Sequence, residues 1–278
     1  WLREEPERAE ILSAAPGHSE HQLGTTIDFG SLAPIKAFCG LFEEHGVPIT
    51  LAEARAPMGA EKREHIKALL AMPRVAEAWV AAKGAAATEA DIDALYDQFI
   101  PVQKAAIAER TTLIPGAAET FSFLRKNNIK IGANTGYSQE MIADLRGLAA
   151  AQGYEPDSYV CATDVPRGRP YPHMTLKNML ELEVLNVQSV VKVDDTLTGI
   201  EEGLNAGCWT VGVAISGNEV GLDLADWDAL SEAEQDIKRQ AAYKRFHQSG
   251  AHYVIDTVAD LPAVIEDINL RLSTGEQP

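Results

Sequence analysis

The 278-residue sequence has three cysteines, no long apolar run and fewer positive than negative charges. Three widely spaced cysteines, an odd number, provide neither a disulfide framework nor the ligand spacing of a zinc site. No apolar run approaches the roughly 20 residues of a membrane-spanning helix. The formal net charge of −17 argues against binding to nucleic acid or anionic membrane, because both need positive potential. We therefore expect neither as a partner.

Residues 1–23 also lack what a buried strand needs. Proline, glycine and polar residues interrupt 13–20 at every second or third position. The first residues are acidic and do not show the charged-then-apolar order of a signal peptide. We expect residues 1–23 to be an atypical arm without a core strand. Together with the cysteine pattern, this leads us to expect a cytoplasmic protein.

What the chain does have is helical periodicity from about 31 to 113, followed by strands that alternate with helices. The predicted strands are 129–133, 158–162, 190–193, 209–213 and 252–255. Alternation of this kind implies parallel βαβ units covered on both faces. The sequence therefore predicts an α/β fold, with a Rossmann-like parallel sheet core and an inserted helical cap domain. We place the cap at 32–110 and the core at 24–31 and 111–278.

Polar side chains stand where three of these strands end, at 134–135, 163–164 and 194–196. In open α/β sheets, ligands bind at the carboxyl ends of the strands. Two adjacent acids, Asp194 and Asp195, are costly there unless they bind a cation or hydrogen-bond donors. A solvated turn in which Asp195 or Thr196 caps the next helix explains the pattern equally well. Both interpretations stay open from the residues alone.

Two further turns at this edge could bind an anion. Arg169 lies between a strand and a helix and could reach a phosphate as a planar fork. A surface arginine in a turn is the more common explanation. The turn 134–137 offers backbone N–H groups and a side-chain donor, but many βα turns share this pattern. Each signal is weak when taken singly.

The helical block carries a lysine with unusual neighbours. Met58, Lys62 and His65 are four and then three residues apart, so they share one helix face. A lysine beside methionine and one turn from histidine could form a Schiff base with an aldehyde. A solvated face of charged residues is the plainer alternative.

These motifs, in this order, resemble those of the phosphonoacetaldehyde hydrolases, phosphonatases of the haloacid dehalogenase superfamily. The similar segments are 28–34, 57–59, 135–137, 164–172 and 205–213, and the resemblance extends from about 24 to 270. It implies a haloacid-dehalogenase-like core, a helical cap and cleavage of phosphonoacetaldehyde to acetaldehyde and phosphate. It also implies that Lys62 forms a Schiff base with this aldehyde, while His65 and Met58 support the lysine.

The resemblance extends to the phosphate and metal sites. Arg169 is similar to the phosphate-binding cation of the family, and Asp195 to a carboxylate of its Mg²⁺ site, with Asp194 as a second candidate ligand. The substrate-binding residues implied are Asn134, Thr135, Gly136, Tyr137 and Arg169. The expected partner is a small phosphonate aldehyde, and a homodimer is left open.

The chain departs from the family pattern at four positions. His21 stands where the family has its nucleophilic aspartate. Gly199 replaces a second acid of the metal site, while Asp194 stands where glycine is usual, so one acid can partly replace the other. Asn134 takes the place of a threonine or serine. We therefore expect the chain to release phosphate from phosphonoacetaldehyde very poorly.

Three hypotheses remain open. The chain is a phosphonoacetaldehyde hydrolase by descent, and residues 1–23 are not those of the working enzyme. Alternatively, it is a non-catalytic relative that binds an aldehyde or phosphonate through Lys62 and Arg169. The third hypothesis, in which His21 is itself phosphorylated, has little support because a lone histidine in a polar segment is usually a surface residue.

Overall fold

The computed structural model describes residues 10–13, 32–108 and 113–278. The strands are β1 Glu10–Ser13, β2 Ile131–Thr135, β3 Ser158–Cys161, β4 Val190–Asp194, β5 Trp209–Val213 and β6 Tyr253–Ile255. The helices before β2 are α1 Leu32–Glu44, α2 Leu51–Arg55, α3 Lys62–Ala71, α4 Pro73–Lys83, α5 Glu89–Ala108 and α6 Ala117–Lys126. Those after β2 are α7 Gln139–Ala150, α8 His173–Glu181, α9 Leu197–Ala206, α10 Leu224–Asp228, α11 Glu232–Ser249 and α12 Leu261–Ser273.

The six strands form one sheet in the order β3-β2-β1-β4-β5-β6, and every pairing is parallel. Because parallel strands end at the same edge, Thr135 lies beside Cys161, and Asp194 beside Gly212. The sequence order changes direction at β1, which separates β2 from β4. This is the topological switch point where α/β sheets bind ligands. The predicted α/β architecture is confirmed.

The prediction that residues 1–23 contain no core strand is wrong. Residues 10–13 form β1, which pairs with β2 on one side and β4 on the other. The sequence offers only Ile11 and Leu12 as an apolar pair, which is too short a signal to read as a strand. The position between two fully buried five-residue strands overrides this weak local propensity, since it provides backbone partners on both sides.

The residues between β1 and β2 form helices α1 to α6, and no strand lies within 35–105, all of which is described. Apolar residues of α1, α3, α4 and α5 form a common core, with Phe38, Phe42, Ile66 and Leu69 fully buried. This core also includes Tyr137 and Cys161, from the ends of β2 and β3. The helical unit therefore packs onto the carboxyl edge of the sheet. Its boundary at 110 stays a prediction, because residues 109–112 lie outside the described ranges.

The two faces of the sheet are used differently. Val191 and Val193 belong to an apolar core that also contains residues of α6 and α12. Lys192 and Asp194 alternate with these valines along β4, and successive side chains of a strand point to opposite faces. These two charged residues therefore lie on the other face, which α8 and α9 cover. Among the described residues, no helix has both the length and the apolarity needed to cross a membrane.

Candidate active site

The loop before α3 meets the carboxyl edge of the sheet. The Thr198 hydroxyl, in the first turn of α9, donates a hydrogen bond to the Met58 carbonyl oxygen at 3.2 Å. Gly59 has a φ of +93°, and a Cβ atom there would lie 2.0 Å from Thr198 Oγ1 and 2.6 Å from Thr196 Oγ1. Only glycine combines this backbone conformation with so close an approach. The Pro-Met-Gly segment of the sequence is thus a docking point between the helical unit and the sheet.

Lys62 begins α3 and points towards the same edge. Glu61 caps the helix by accepting hydrogen bonds from the backbone N–H groups of Arg63 and Glu64. Ile66 and Leu69 are buried on the helix face that Lys62 and His65 share. Packing of these apolar residues buries the lysine and histidine side chains as well. Lys62 is fully buried, and its Nζ atom lies 5.0 Å from the centre of the Tyr137 ring. The predicted cap residue and the predicted turn residue therefore meet.

His65 supplies a neutral imidazole beside this lysine. Its Nε2 atom lies 2.9 Å from the Ala54 carbonyl oxygen, which only accepts, so Nε2 carries the proton. The ring stacks on Phe38 at 4.0 Å. Burial, and then the charge of Lys62, hold the pKa of His65 well below its usual value. Nδ1 is buried and has no hydrogen-bond partner among the described residues, so its lone pair is available within that part of the chain.

Arg169 lies on the other side of the site, in a fully buried ionic network. Its Nε atom pairs with Glu202 at 3.1 Å, and Nη2 pairs with Asp194 at 3.3 Å. Nη2 also donates to the side-chain and backbone oxygens of Asn134, at 2.9 and 3.2 Å. The turn residue predicted to bind phosphate is therefore a buried cation, and not a surface arginine.

Lys192 is a second buried cation in this network. Its Nζ atom contacts Asn134 Oδ1 at 2.7 Å, Glu202 Oε2 at 3.1 Å and Asp194 Oδ2 at 3.2 Å. Glu202 also accepts hydrogen bonds at Oε1 from the backbone and hydroxyl of Thr175 and from the Asn134 amide. Arg169, Lys192, Asp194 and Glu202 thus form a network of two cations and two anions. Their charges compensate one another away from water.

The turn after β2 joins this network to Tyr137. Asn134 and Thr135 are fully buried and Gly136 is buried, and Thr135 Oγ1 accepts a hydrogen bond from the Tyr137 backbone N–H at 3.2 Å. Asn134 uses its oxygen for the two cations and its amide for Glu202 and Thr175. The structure therefore brings the predicted anion-binding turn between the lysine side and the ionic network.

Asp194 is held as an anion, but by protein groups. Burial by itself raises the pKa of this carboxyl group, yet Arg169, Lys192 and the hydrogen bonds from Thr196 bring it below its usual value. Oδ1 accepts from the backbone and hydroxyl of Thr196, and Oδ2 faces the two cations. These contacts do not favour the prediction that Asp194 is a metal ligand.

Asp194 and Gly199 depend on each other. A Cβ atom at position 199 would lie 1.9 Å from Asp194 Cγ and 2.2 Å from both of its carboxylate oxygens. The Asp194 carboxylate therefore fills the space that a side chain at 199 would take. This geometry is consistent with the expectation that the acid at 194 partly replaces one at 199.

Asp195 is the better candidate for a metal ligand. It is buried at the end of β4, and its Oδ2 atom accepts a hydrogen bond from the backbone N–H of Asn218 at 3.0 Å. A divalent cation nevertheless needs several oxygen ligands. The part of the chain that the structure describes contains no group of three or more acids, histidines or cysteines able to hold a metal. Those residues do not make a complete Mg²⁺ site.

The predicted nucleophile position, His21, lies outside the described residues. β1 ends at Ser13, eight residues earlier. Residues 14–27 contain no aspartate, and Glu20 is their only acid. The sequence thus provides no aspartate in the segment that follows the central strand until Asp28.

Glu202 and Lys192 are the residues that sequence reasoning missed. A signal existed for Lys192, because a charged residue within an apolar strand requires a buried partner. Glu202 follows another glutamate in a helix and has no comparable signal. Its role depends on which helix face α9 turns to the sheet, and this is decided by packing.

Comparisons with known proteins identify the family of the chain. The family model for haloacid dehalogenase-like hydrolases matches residues 9–207, a range that includes β1. A phosphonoacetaldehyde hydrolase of Hahella chejuensis is 60% identical over 92% of this chain and 87% of its own length. The one from Paraburkholderia phytofirmans is 52% identical over 92% of this chain and 96% of its own length.

A solved structure is similar over nearly the whole chain. The crystal structure of a phosphonoacetaldehyde hydrolase-like protein from Oleispira antarctica shows a TM-score of 0.91 and 55% identity, and the match covers 99% of this chain and 96% of that one. A β-phosphoglucomutase from Clostridium difficile, with a TM-score of 0.65 and 17% identity, shares the fold alone. The chain therefore belongs to the haloacid dehalogenase-like hydrolases and, within them, to the phosphonoacetaldehyde hydrolase family.

Proposed function

We propose that this protein is a phosphonoacetaldehyde hydrolase, which cleaves the C–P bond of its substrate to form acetaldehyde and phosphate. The observation that carries the proposal is the buried amine of Lys62. It lies beside a neutral imidazole and faces an edge of the sheet that holds two buried cations. A non-catalytic relative that only binds an aldehyde or phosphonate is not favoured, because the relatives are named as hydrolases.

In the proposed reaction, the amine of Lys62 attacks the aldehyde carbon, and water leaves to form an iminium. The electron pair of the C–P bond moves into the iminium, which becomes an enamine, while the phosphoryl group passes to an acceptor. Protonation of the enamine carbon and hydrolysis of the imine release acetaldehyde and restore the amine. Hydrolysis at the acceptor releases phosphate, so each turnover consumes one water molecule overall.

The protein groups have separate parts in this scheme. His65 Nδ1 can accept a proton during formation and hydrolysis of the imine, because it is an unprotonated nitrogen inside the site. Met58 holds the lysine loop on α9 through its carbonyl oxygen. Arg169 and the turn 134–137 are proposed to hold the phosphonate by charge and backbone N–H groups.

Mg²⁺ remains part of the proposal, with Asp195 as the protein ligand. When bound, such an ion offsets negative charge on the phosphonate and on its acceptor. The described residues provide an incomplete ligand set for such an ion. The proposal further includes a cytoplasmic location and a small phosphonate aldehyde as ligand, and it leaves a homodimer open.

Borohydride trapping tests the role of Lys62. With phosphonoacetaldehyde present, reduction should label Lys62, and Lys62→Ala should abolish the label because no other amine occupies this position. Lys67→Ala is the matched control, since Lys67 lies on the same helix with its side chain half exposed. Equal labelling of the Lys62→Ala protein would reject the assignment.

Phosphate release with Mg²⁺ tests turnover. Losing a covalent nucleophile costs on the order of 10⁴ in rate by analogy with other nucleophilic enzymes, so we expect very slow release from this chain. A matched protein in which residues 1–23 are replaced by an apolar strand ending in Asp-Leu-Ala should release phosphate much faster. Rapid turnover by the unaltered chain would show that another group accepts the phosphoryl group.

A further inference from the structure

The loop 214–221, called here the Asp195 loop, connects β5 to the helices that follow. It is anchored in the core, because the backbone N–H groups of Ala214 and Ile215 donate to the carbonyl oxygens of Ile255 and Asp256 at 2.8 and 2.9 Å. The backbone N–H of Asn218 then donates to Asp195 Oδ2 at 3.0 Å. The loop is thus a fixed part of the sheet side of the site, and it orients the Asp195 carboxylate.

Arg55 reaches this loop from the helical unit. Its Nη2 atom donates to the Gly221 carbonyl oxygen at 3.0 Å, and Nη1 lies 3.4 and 3.5 Å from the carbonyl oxygens of Val220 and Asn218. All three acceptors belong to the Asp195 loop and none to the helix that carries the arginine. A planar guanidinium suits this arrangement because its donors diverge in a fixed fork.

Gly221 provides a second, independent sign of this contact. It has a φ of +69°, and a Cβ atom at this position would lie only 1.4 Å from Arg55 Nη1. The guanidinium therefore occupies the space that any other residue at 221 would fill. The absence of a side chain at Gly221 therefore leaves room for the Arg55 guanidinium against the Asp195 loop.

Arg55 is also linked to the lysine side of the site. It is the last residue of α2, and its carbonyl oxygen accepts a hydrogen bond from the Met58 backbone N–H at 3.0 Å. The preceding carbonyl, of Ala54, is the one that fixes the His65 ring. The same turn of chain then leads through Gly59 to Lys62. Few covalent and hydrogen bonds therefore separate Arg55 from the groups around the lysine.

We infer that Arg55 is a positioning residue that fastens the lysine-bearing segment to the Asp195 loop. It sets the distance between the amine that binds the aldehyde carbon and the sheet edge that holds the phosphonate. This positioning role rests on the proposed function of Lys62. The contact between Arg55 and the Asp195 loop does not depend on that function. Arg74 offers the contrast, since its side chain is half exposed and its partners among the described residues, Glu53 and Pro48, both lie within the helical unit.

Hydrogen–deuterium exchange tests the contact without relying on catalysis. In Arg55→Ala, exchange should become about ten-fold faster in both peptides 54–61 and 216–221, as expected for the loss of charge-assisted hydrogen bonds between them. Arg74→Ala removes the same charge from the same unit and should leave both peptides unchanged. Unchanged exchange in folded Arg55→Ala would overturn the inference.

Two further variants keep the test decisive if Arg55→Ala does not fold. Arg55→Lys retains the charge but loses the fork, so exchange should fall between that of the wild type and the ten-fold change. Gly221→Ala displaces the guanidinium from the opposite side and should loosen peptide 54–61 as well. Protection of peptide 54–61 equal to that of the wild type in both variants would also overturn the inference.

The positioning role has its own readout. Borohydride trapping on Lys62 is compared for phosphonoacetaldehyde and for acetaldehyde, which lacks the phosphonate. Arg55→Ala should reduce the preference for phosphonoacetaldehyde about ten-fold and leave acetaldehyde trapping unchanged. Only phosphonoacetaldehyde contacts both the Lys62 amine and the phosphonate-binding edge of the sheet, so only its trapping depends on the distance between them. Arg55→Lys should partly restore the preference. An equal fall for both aldehydes would indicate a merely structural role and refute positioning.

Hydrogen–deuterium exchange and borohydride trapping distinguish a failure of the positioning role from a failure of the proposed function. If wild-type Lys62 is not labelled by either aldehyde, the proposed function is wrong, while the exchange measurement still decides whether Arg55 fastens the two segments. If labelling occurs but exchange and preference do not depend on Arg55, the proposed function stands and the positioning role is wrong.

Discussion

Lys62 and Lys192 are both fully buried lysines, yet their surroundings differ in kind. Lys62 has an aromatic ring at 5.0 Å and a neutral imidazole as neighbours, in a pocket formed with Phe38 and Met58. Lys192 contacts the amide oxygen of Asn134 and the carboxylates of Asp194 and Glu202. The first environment suits an amine that must react, and the second suits a cation that must stay in place. One residue type therefore serves two functions according to its neighbours.

The difference also shows how each region is stabilised. The lysine side depends on apolar packing, with Phe38 stacked between His65 and Phe99 at 4.0 and 4.1 Å. The sheet side depends on charge compensation among four buried ions. Removing one partner from such a network is far more damaging than changing a solvated charge, since it leaves another charge buried and uncompensated.

The largest effect should follow Glu202→Gln. This change removes one of two anions while keeping the side-chain shape, so Arg169 and Lys192 would share Asp194 alone. We expect the free energy of unfolding to fall by about 3–5 kcal/mol, measured by urea denaturation. The control is Glu201→Gln at the exposed neighbouring position, which should change it by less than about 0.5 kcal/mol. Similar losses in both variants would remove the distinction between the two regions.

A smaller effect should follow Gly199→Ala, which tests the exchange between positions 194 and 199. The added methyl group would overlap the Asp194 carboxylate, so we expect a loss of about 1–3 kcal/mol in unfolding free energy. In an Asp194→Ala background the same substitution should be nearly neutral, which a double-mutant cycle would show as strong coupling.

Gly147→Ala is the matched control for that cycle. Gly147 is an exposed helical glycine with no atom within 4 Å of an added Cβ, so alanine there should stabilise by about 0.5–1 kcal/mol. If the loss from Gly199→Ala were unchanged without the Asp194 carboxylate, that carboxylate would not be what excludes a side chain at 199.

The smallest predicted effect concerns pH and the lysine side. The pKa of His65 is lowered in the folded protein, so below about 6.5 the unfolded chain binds a proton that the folded chain does not. Stability should therefore fall as the pH drops from about 6.5 towards the folded pKa, by up to about 1.4 kcal/mol per pH unit. Urea denaturation at pH 7.0 and 5.5 measures this slope.

His65→Gln should remove this part of the pH dependence, whereas His247→Gln, at an exposed position of α11, should not. An unchanged slope in His65→Gln would mean that the imidazole takes up its proton in the folded protein as readily as in the unfolded chain. The lysine side would then carry a charged imidazole, and its contrast with the sheet side would be smaller.

The amino-acid sequence was sufficient for most of the architecture and for the kind of site. Runs such as 190–193 and 209–213 are rich in β-forming residues, and they lie between helical periods, so the parallel sheet follows from local pattern. Met58, Lys62 and His65 share a helix face by spacing, and glycine at 59 marks a tight turn. The resemblance to the phosphonoacetaldehyde hydrolases came from the order of such motifs.

Only the tertiary structure decided the partners of the buried charges and the place of β1. Four residues with two apolar side chains form a central strand because β2 and β4 provide backbone partners on both sides. Arg169 is buried and Asp194 is an ion-pair partner because α9 brings Glu202 within 3.1 Å of both cations. Residues distant in sequence meet there, and their energies depend on distance and burial, which no local pattern contains.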